Sequence, residues 1–147
     1  MQFSFSIVAL IALGGQALTQ SATGNYVVTE SGNALTANNS QVIFGPADGA
    51  NDQIWGFSTV GPDTVVIQNQ GSGDYLNCDD SGTPCTTSPN PQIFEPIKRG
   101  TDLYQIADES GVLFVAESSD KTIHLVLDVP AGEKTVFTLT RPTECEF

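Results

Sequence analysis

Asn51-Asp52-Gln53-Ile54-Trp55 is the stretch on which the reading of this chain turns, because it comes back. It returns as Asn90-Pro91-Gln92-Ile93-Phe94 and, more loosely, as Gly132-Glu133-Lys134-Thr135-Val136-Phe137. The closing aromatics Trp55, Phe94 and Phe137 lie 39 and 43 residues apart. A period of that length marks repeated supersecondary units that cannot each bury an apolar face alone. A second landmark keeps the same phase. Ser31-Gly32-Asn33-Ala34-Leu35, Ser72-Gly73-Asp74-Tyr75-Leu76 and Ser110-Gly111-Val112-Leu113-Phe114 each set a Ser-Gly turn three residues before a large apolar side chain.

Outward from these landmarks the chain alternates apolar and polar residues over short runs, as in Thr64-Val65-Val66-Ile67 and Ile123-His124-Leu125-Val126-Leu127. Gly, Pro, Asn, Asp and Ser clusters break the runs at intervals typical of an all-β chain, and helical periodicity is nearly absent. Three units of about 40 residues, each read as four short strands, predict a β-trefoil. In it a six-stranded barrel is closed at one end by three hairpins, leaving few exposed edges. Leu35, Leu76 and Phe114, with Trp55, Phe94 and Phe137, are then expected as symmetry-related core residues. A β-sandwich fits the strand spacing but not the threefold phase.

The ends and totals set limits. Ile7-Val8-Ala9-Leu10-Ile11-Ala12-Leu13 followed by Gly14-Gly15-Gln16-Ala17 has the form of a secretory signal peptide over 1–17, with cleavage between 17 and 22, although no Lys or Arg precedes the apolar run. That run is well short of the ~20 residues of a membrane span. A single domain over 24–142 and a short tail, 143–147, follow. The formal net charge of −12 repels phosphate backbones and anionic lipid, which argues against nucleic acid and membrane surfaces as partners. Neutral oligosaccharides and other proteins are left open. In an oxidising compartment Cys78 and Cys85 are close enough in sequence to close a short loop, with Cys145 left over; pairings of Cys145 with either of them are the rivals. Three Cys and one His without C-x-x-C spacing do not make a zinc site, so no metal and no cofactor is expected. Asn38-Asn39-Ser40 is a glycosylation sequon, placing a candidate glycan on Asn38.

The segment Gly49-Ala50-Asn51-Asp52-Gln53-Ile54-Trp55 resembles the Q-x-W signature of ricin-B-type β-trefoil lectins, echoed by Gln92-Ile93-Phe94 and faintly by Thr135-Val136-Phe137. The opening Gly24-Asn25-Tyr26-Val27-Val28 and the stretch Gly45-Pro46-Ala47-Asp48-Gly49 are most similar to small mushroom β-trefoil lectins that bind fucosylated chitobiose. The resemblance spans 25–141 and implies a carbohydrate-binding, non-catalytic protein; fungal β-trefoils of this size also include protease inhibitors. It puts the family's sugar-binding Asp at Thr36, Asn77 and Val115. The first unit has an aromatic at Phe44 and an amide at Asn51 but Thr36 in place of the carboxylate, so it is incomplete. The resemblance points instead to the second unit, with Tyr75, Asn77, Asp79, Gln92 and Phe94, where the tryptophans expected of the family are missing.

The remaining side chains each carry two readings. Tyr75 can stack on a sugar face or belong to the barrel beside Leu76. Asn77, Asp79 and Asp80 can fix hydroxyls or simply form turns, and Asn77 alone can both donate to and accept from one. Trp55, at the repeat's core anchor, is read as structural. His124 alternates with Ile123 and Leu125 and falls on the solvent side; with no G-x-S-x-G elbow it makes no hydrolase triad. Catalytic residues are therefore expected to be none. Lys98-Arg99-Gly100 and Lys121, read as exposed basic loops, carry the alternative of an inhibitor of an extracellular trypsin-like protease. The incomplete sugar sites carry a third reading, a trefoil that binds another protein.

Overall fold

A computed structural model describes residues 22–127 and 134–142. The expected signal segment, the tail with Cys145, and Gly132 and Glu133 of the third landmark lie outside these described residues. The strands are β1 (Gly24–Glu30), β2 (Asn33–Asn38), β3 (Gln41–Pro46), β4 (Trp55–Gly61), β5 (Thr64–Asn69) and β6 (Tyr75–Asn77), then β7 (Thr86–Ser88), β8 (Phe94–Gly100), β9 (Leu103–Asp108), β10 (Phe114–Glu117), β11 (Ile123–Val126) and β12 (Phe137–Thr140).

Six of them pair in a closed antiparallel ring, in the order β12, β1, β4, β5, β8, β9 and back to β12. The other six form the hairpins β2–β3, β6–β7 and β10–β11, each entered from a barrel strand. The hairpins meet at one end of the barrel, through the pairs Gln41–Thr86 and Ile43–Thr122. This is the β-trefoil that the threefold phase predicts. Tight turns make it accessible to the chain. Glu30 pairs with Asn33 across Ser31 and Gly32, at φ 53° and 83°, the left-handed geometry that twists a two-residue hairpin to match its strands.

The core follows the threefold axis in layers. Trp55 and Phe94 are wholly buried and Phe137 nearly so, and each begins the last barrel strand of its unit opposite a residue in the first strand of the same unit: Tyr26, Val65 and Tyr104. Trp55 donates its indole N–H to the Leu35 carbonyl at 2.9 Å, which satisfies the one polar atom a buried Trp brings. The expected layer of Leu35, Leu76 and Phe114 needs one correction. Leu35 and Leu76 are buried, but Phe114 is half-exposed and Val115 is the buried residue. The reason is turn geometry. Asn69 N–H bonds to Asp74 C=O and Asp108 N–H to Leu113 C=O, so these two turns span the same length and Leu76 corresponds to Val115. Ser110-Gly111 sits one residue earlier in its turn than Ser72-Gly73, so counting from the Ser-Gly pair misplaces the third unit by one.

Candidate functional site

The second hairpin is built to present polar groups outward. Cross-strand partners are Tyr75 with Ser88, Leu76 with Thr87, and Asn77 with Thr86. Leu76 and Thr87 are buried, so strand alternation turns Tyr75, Asn77, Thr86 and Ser88 to the outside. The connection 78–85 folds back beside this face and completes a cavity of about 520 Å³ whose lining includes Asn77, Asp79, Thr83, Thr86, Ser88 and Gln92. Three of the residues expected to bind sugar, Asn77, Asp79 and Gln92, are thus brought together. Tyr75 stands on the same face opposite Ser88, at the edge rather than in the wall. Thr83, Thr86 and Ser88 were not anticipated from the sequence. No landmark finds them: Cys85-Thr86-Thr87 takes the place of Val42-Ile43-Phe44 in the fold at an offset of 43 residues, where the landmarks of the first two units repeat at 39 and 41, and it lacks the apolar content by which strands are recognised.

Each group is held in place. Gln92 accepts from Cys78 N–H at 2.6 Å and donates to Cys78 C=O at 3.0 Å, so its side-chain amide pairs with that residue as a neighbouring strand would. Cys78 is joined to Cys85 by a disulfide, the expected pairing, and Cys85 N–H reaches Ile123 C=O at 2.7 Å. Asn77 gives its amide protons to Asn90 C=O at 2.6 Å and Tyr75 C=O at 3.3 Å. With both donors engaged, the group it can offer a ligand is Oδ1, an acceptor only, where the sequence reading expected both directions. Asp79 accepts from Ser81 N–H at 2.9 Å. That backbone hydrogen bond, helped by Asp80, keeps its carboxyl below the ordinary value, so Asp79 presents a fixed, ionised acceptor. It is a turn former and a cavity residue at once.

The other units do not repeat this face. In the first, Thr36 is engaged: its hydroxyl donates to Ala34 C=O at 2.8 Å and accepts from Gln53 at 3.1 Å. Gln53 also donates to Pro46 C=O and accepts from Asp48 N–H, so it locks the loop before Trp55. Phe44 is not a platform for a sugar; it is buried and stacks on Phe137 with ring centroids 5.6 Å apart. Asn51 is exposed in a single 3-10 turn, Asn51–Gln53. In the third unit the shift of one residue moves the family's Asp position from Val115, a core residue, to Ala116, which has no polar group. His124 lies opposite Ala116, half-buried.

The basic residues also sit differently from expectation. Lys98 and Arg99 lie in β8, whose register shifts by a bulge between Lys98 and Gly100, and Arg99 donates to Gln105 at 2.6 Å. They are exposed, but on a paired strand rather than a protruding loop. Lys121 reaches the Glu117 carboxylate at 3.8 Å. Among the described residues no group of three or more His, Cys, Asp or Glu is placed to hold a metal ion, and no helix is long and apolar enough to cross a membrane. A smaller cavity of about 250 Å³, lined by Val27, Ala47, Ile54, Arg141 and Pro142 among others, opens where β1 and β12 meet the loop before Trp55. Arg141 there stacks over Tyr26, 4.5 Å from the ring centroid.

A β-trefoil with one polar hairpin face defines the class of protein, and solved structures agree on the fold. The chain is similar to a ricin B-like lectin from Macrolepiota procera solved in complex with lactose, at 18% identity and TM-score 0.73, over 84% of this chain and all of the other. It is similar to the Rhizoctonia solani agglutinin at 13% identity and TM-score 0.70, over 84% of this chain and 99% of that one. A designed threefold-symmetric protein, ThreeFoil, matches at 16% identity and TM-score 0.69, over 79% and 97% of the two chains. No family model and no curated protein matches the sequence. At these identities the likeness speaks for the fold, and ligand chemistry has to be argued from this chain's own residues.

Proposed function

We propose that this is a secreted, non-catalytic carbohydrate-binding protein whose site is the outer face of the second hairpin. The observation that carries the reading is the convergence of Asn77, Asp79 and Gln92, with the hydroxyls of Thr86 and Ser88, on one cavity. A sugar ring presents several hydroxyls that each donate and accept, and a site for it needs fixed acceptors and donors in an open pocket. Asp79 and Asn77 Oδ1 supply the acceptors, the two hydroxyls supply either role, and Tyr75 at the edge offers an aromatic face for the apolar side of a pyranose. The lectins among the structural neighbours support this chemistry, and it needs no cofactor. The net charge of −12 favours a neutral oligosaccharide over an acidic one. Fucosylated chitobiose, suggested by the likeness to mushroom lectins, is the first ligand to try.

The test is a glycan array probed with the labelled protein and with Asn77→Ala and Tyr75→Ala, alongside trypsin and papain inhibition on the same preparations. Selective binding by the parent, lost in Asn77→Ala while the barrel stays folded, is the expected result. A blank array with inhibition of either protease would replace this reading by the inhibitor one.

A further inference from the structure

Asn38 belongs to a row of side chains that ends in the cavity. It pairs with Gln41 across the β2–β3 turn, Gln41 pairs with Thr86 in the second unit, and Thr86 pairs with Asn77. Directly paired residues in antiparallel strands point to the same face, so all four project on one side of a continuous four-stranded patch. Asn38, Gln41 and Thr86 are exposed, and Thr86 and Asn77 line the cavity. Three strand spacings put Asn38 about 14 Å from Asn77. The sequon itself sits on the exposed two-residue turn of the hairpin, in which Asn39 and Ser40 hold φ of 53° and 74°. The Asn38 amide is therefore reachable by a large enzyme.

We propose that Asn38 carries an N-linked glycan and that this glycan restricts entry to the cavity of the second hairpin. The inference rests on the reading of that cavity as a sugar site in a secreted chain. Attachment forms a bond between Asn38 Nδ2 and the anomeric carbon of the first N-acetylglucosamine. It breaks that carbon's bond to the pyrophosphate of a polyprenyl-linked oligosaccharide donor, and the polyprenyl pyrophosphate and the amide proton leave. The stem of two N-acetylglucosamine rings, carried on the Asn side chain, is long enough to lie along Gln41 and Thr86 to the cavity mouth. Those residues are polar and exposed, so the stem loses little hydration by resting there. A ligand binds only the fraction of molecules in which the stem is elsewhere. If the stem lies over the row nine-tenths of the time, apparent affinity falls about tenfold.

The test compares three proteins secreted from a eukaryotic host that glycosylates: the parent, Asn38→Gln, and Ser40→Gly, which removes the sequon while suiting the positive φ at that position. Mass spectrometry reads the occupancy of Asn38, and binding is measured on one array bearing chitobiose-, lactose- and N-acetyllactosamine-terminated oligosaccharides. The expected result is an occupied Asn38 in the parent and about tenfold tighter binding by both variants, with the parent matching them after enzymatic removal of its glycan. An unmodified Asn38 in the secreted parent, or an occupied one with binding equal to the variants, overturns the inference and leaves the sugar site standing. Absence of binding in all three proteins and in the deglycosylated parent overturns both.

Discussion

The second and third hairpins occupy the same place in the fold and are closed by different chemistry. Cys78 and Glu117 correspond, each two residues past the core residues Leu76 and Val115, and both turn inward. In the second hairpin Cys78 is bonded to Cys85, and its backbone N–H and C=O both go to the Gln92 side chain. In the third, Glu117 N–H goes to the Lys134 backbone carbonyl at 2.9 Å, and its buried carboxylate faces Lys121 at 3.8 Å with Oε1 unpartnered among the described residues. One unit thus uses a side chain where the other uses a single backbone bridge, Glu117 with Lys134. Gln92 covers the second hairpin only with its side-chain amide, and the face left open beside it is the cavity. The covalent bridge then holds a long connection that this open face no longer supports.

If that contrast is right, removing the bridge has the largest effect. Closing a loop of this size, 78–85, contributes about 2–3 kcal/mol through the unfolded chain. Cys78→Ala with Cys85→Ala is expected to lose that much in chemical denaturation and to lose glycan binding outright, since Asp79 and Thr83 line the cavity from the freed loop. A double variant that keeps both would show that Gln92 and the Cys85–Ile123 hydrogen bond hold the wall by themselves. Gln92→Leu comes next. It leaves the Cys78 amide and carbonyl without their partner, at about 1–3 kcal/mol for a buried unsatisfied group, and it should weaken glycan binding by displacing Asp79. Equal stability with normal binding would mean that water replaces the amide and that the strand-like role assigned to Gln92 is wrong.

Residue type and spacing made the architecture legible, and local geometry hid part of the site. Trp55, Phe94 and Phe137 recur because each starts a barrel strand, and a buried aromatic every 40 residues survives any change of loop. Phe114 was misplaced because Ser-Gly marks that a turn exists but not how many residues precede the pair. Phe44 looked like a platform because an aromatic facing the core and one facing solvent differ only in strand phase, and Val42 and Phe44 are the buried side of β3. Cys78 with Cys85 could be read from their separation. That Gln92 spends its amide on Cys78 backbone could not, since a hydrogen bond between side chain and backbone leaves no trace in composition.

The ion-pair side of the contrast gives a smaller effect of opposite sign. Burial, the largest influence on Glu117, raises its pKa; Lys121 and Lys134 pull it down, and Glu30 adds to the rise. A carboxyl whose folded pKa lies above its unfolded value binds its proton more tightly in the native state. Ionised Glu117 therefore costs stability at neutral pH, and the cost vanishes below the ordinary Glu value. Glu117→Gln is expected to match or exceed the parent in unfolding free energy at pH 7 by up to about 1 kcal/mol, and to equal it at pH 4, as followed by thermal unfolding. A clear loss at pH 7 would show instead that the pair with Lys121 holds the third hairpin as the disulfide holds the second.

The smallest effect tests what closes that third connection. Asp120 gathers it: its Oδ1 accepts from Ser118 Oγ at 2.6 Å, from Thr122 Oγ1 at 2.6 Å and from Thr122 N–H at 3.2 Å. The Ser118 hydroxyl, then the Thr122 hydroxyl and amide, lower its pKa from 3.8 to about 2. Here the sign is the ordinary one for a carboxylate: the contribution is complete above pH 4 and is lost as pH falls from about 4 to 2. Asp120→Asn should therefore be slightly less stable than the parent at pH 7, with the gap closing by pH 2, in thermal unfolding followed across that range. The group is exposed and water competes for every bond it makes, so the effect is modest. Its pH profile still separates two kinds of turn. A gap that persists unchanged at pH 2 would mean that Asp120 matters for its backbone conformation alone, whereas a gap that closes shows the third hairpin fastened by charge where the second is fastened by sulfur.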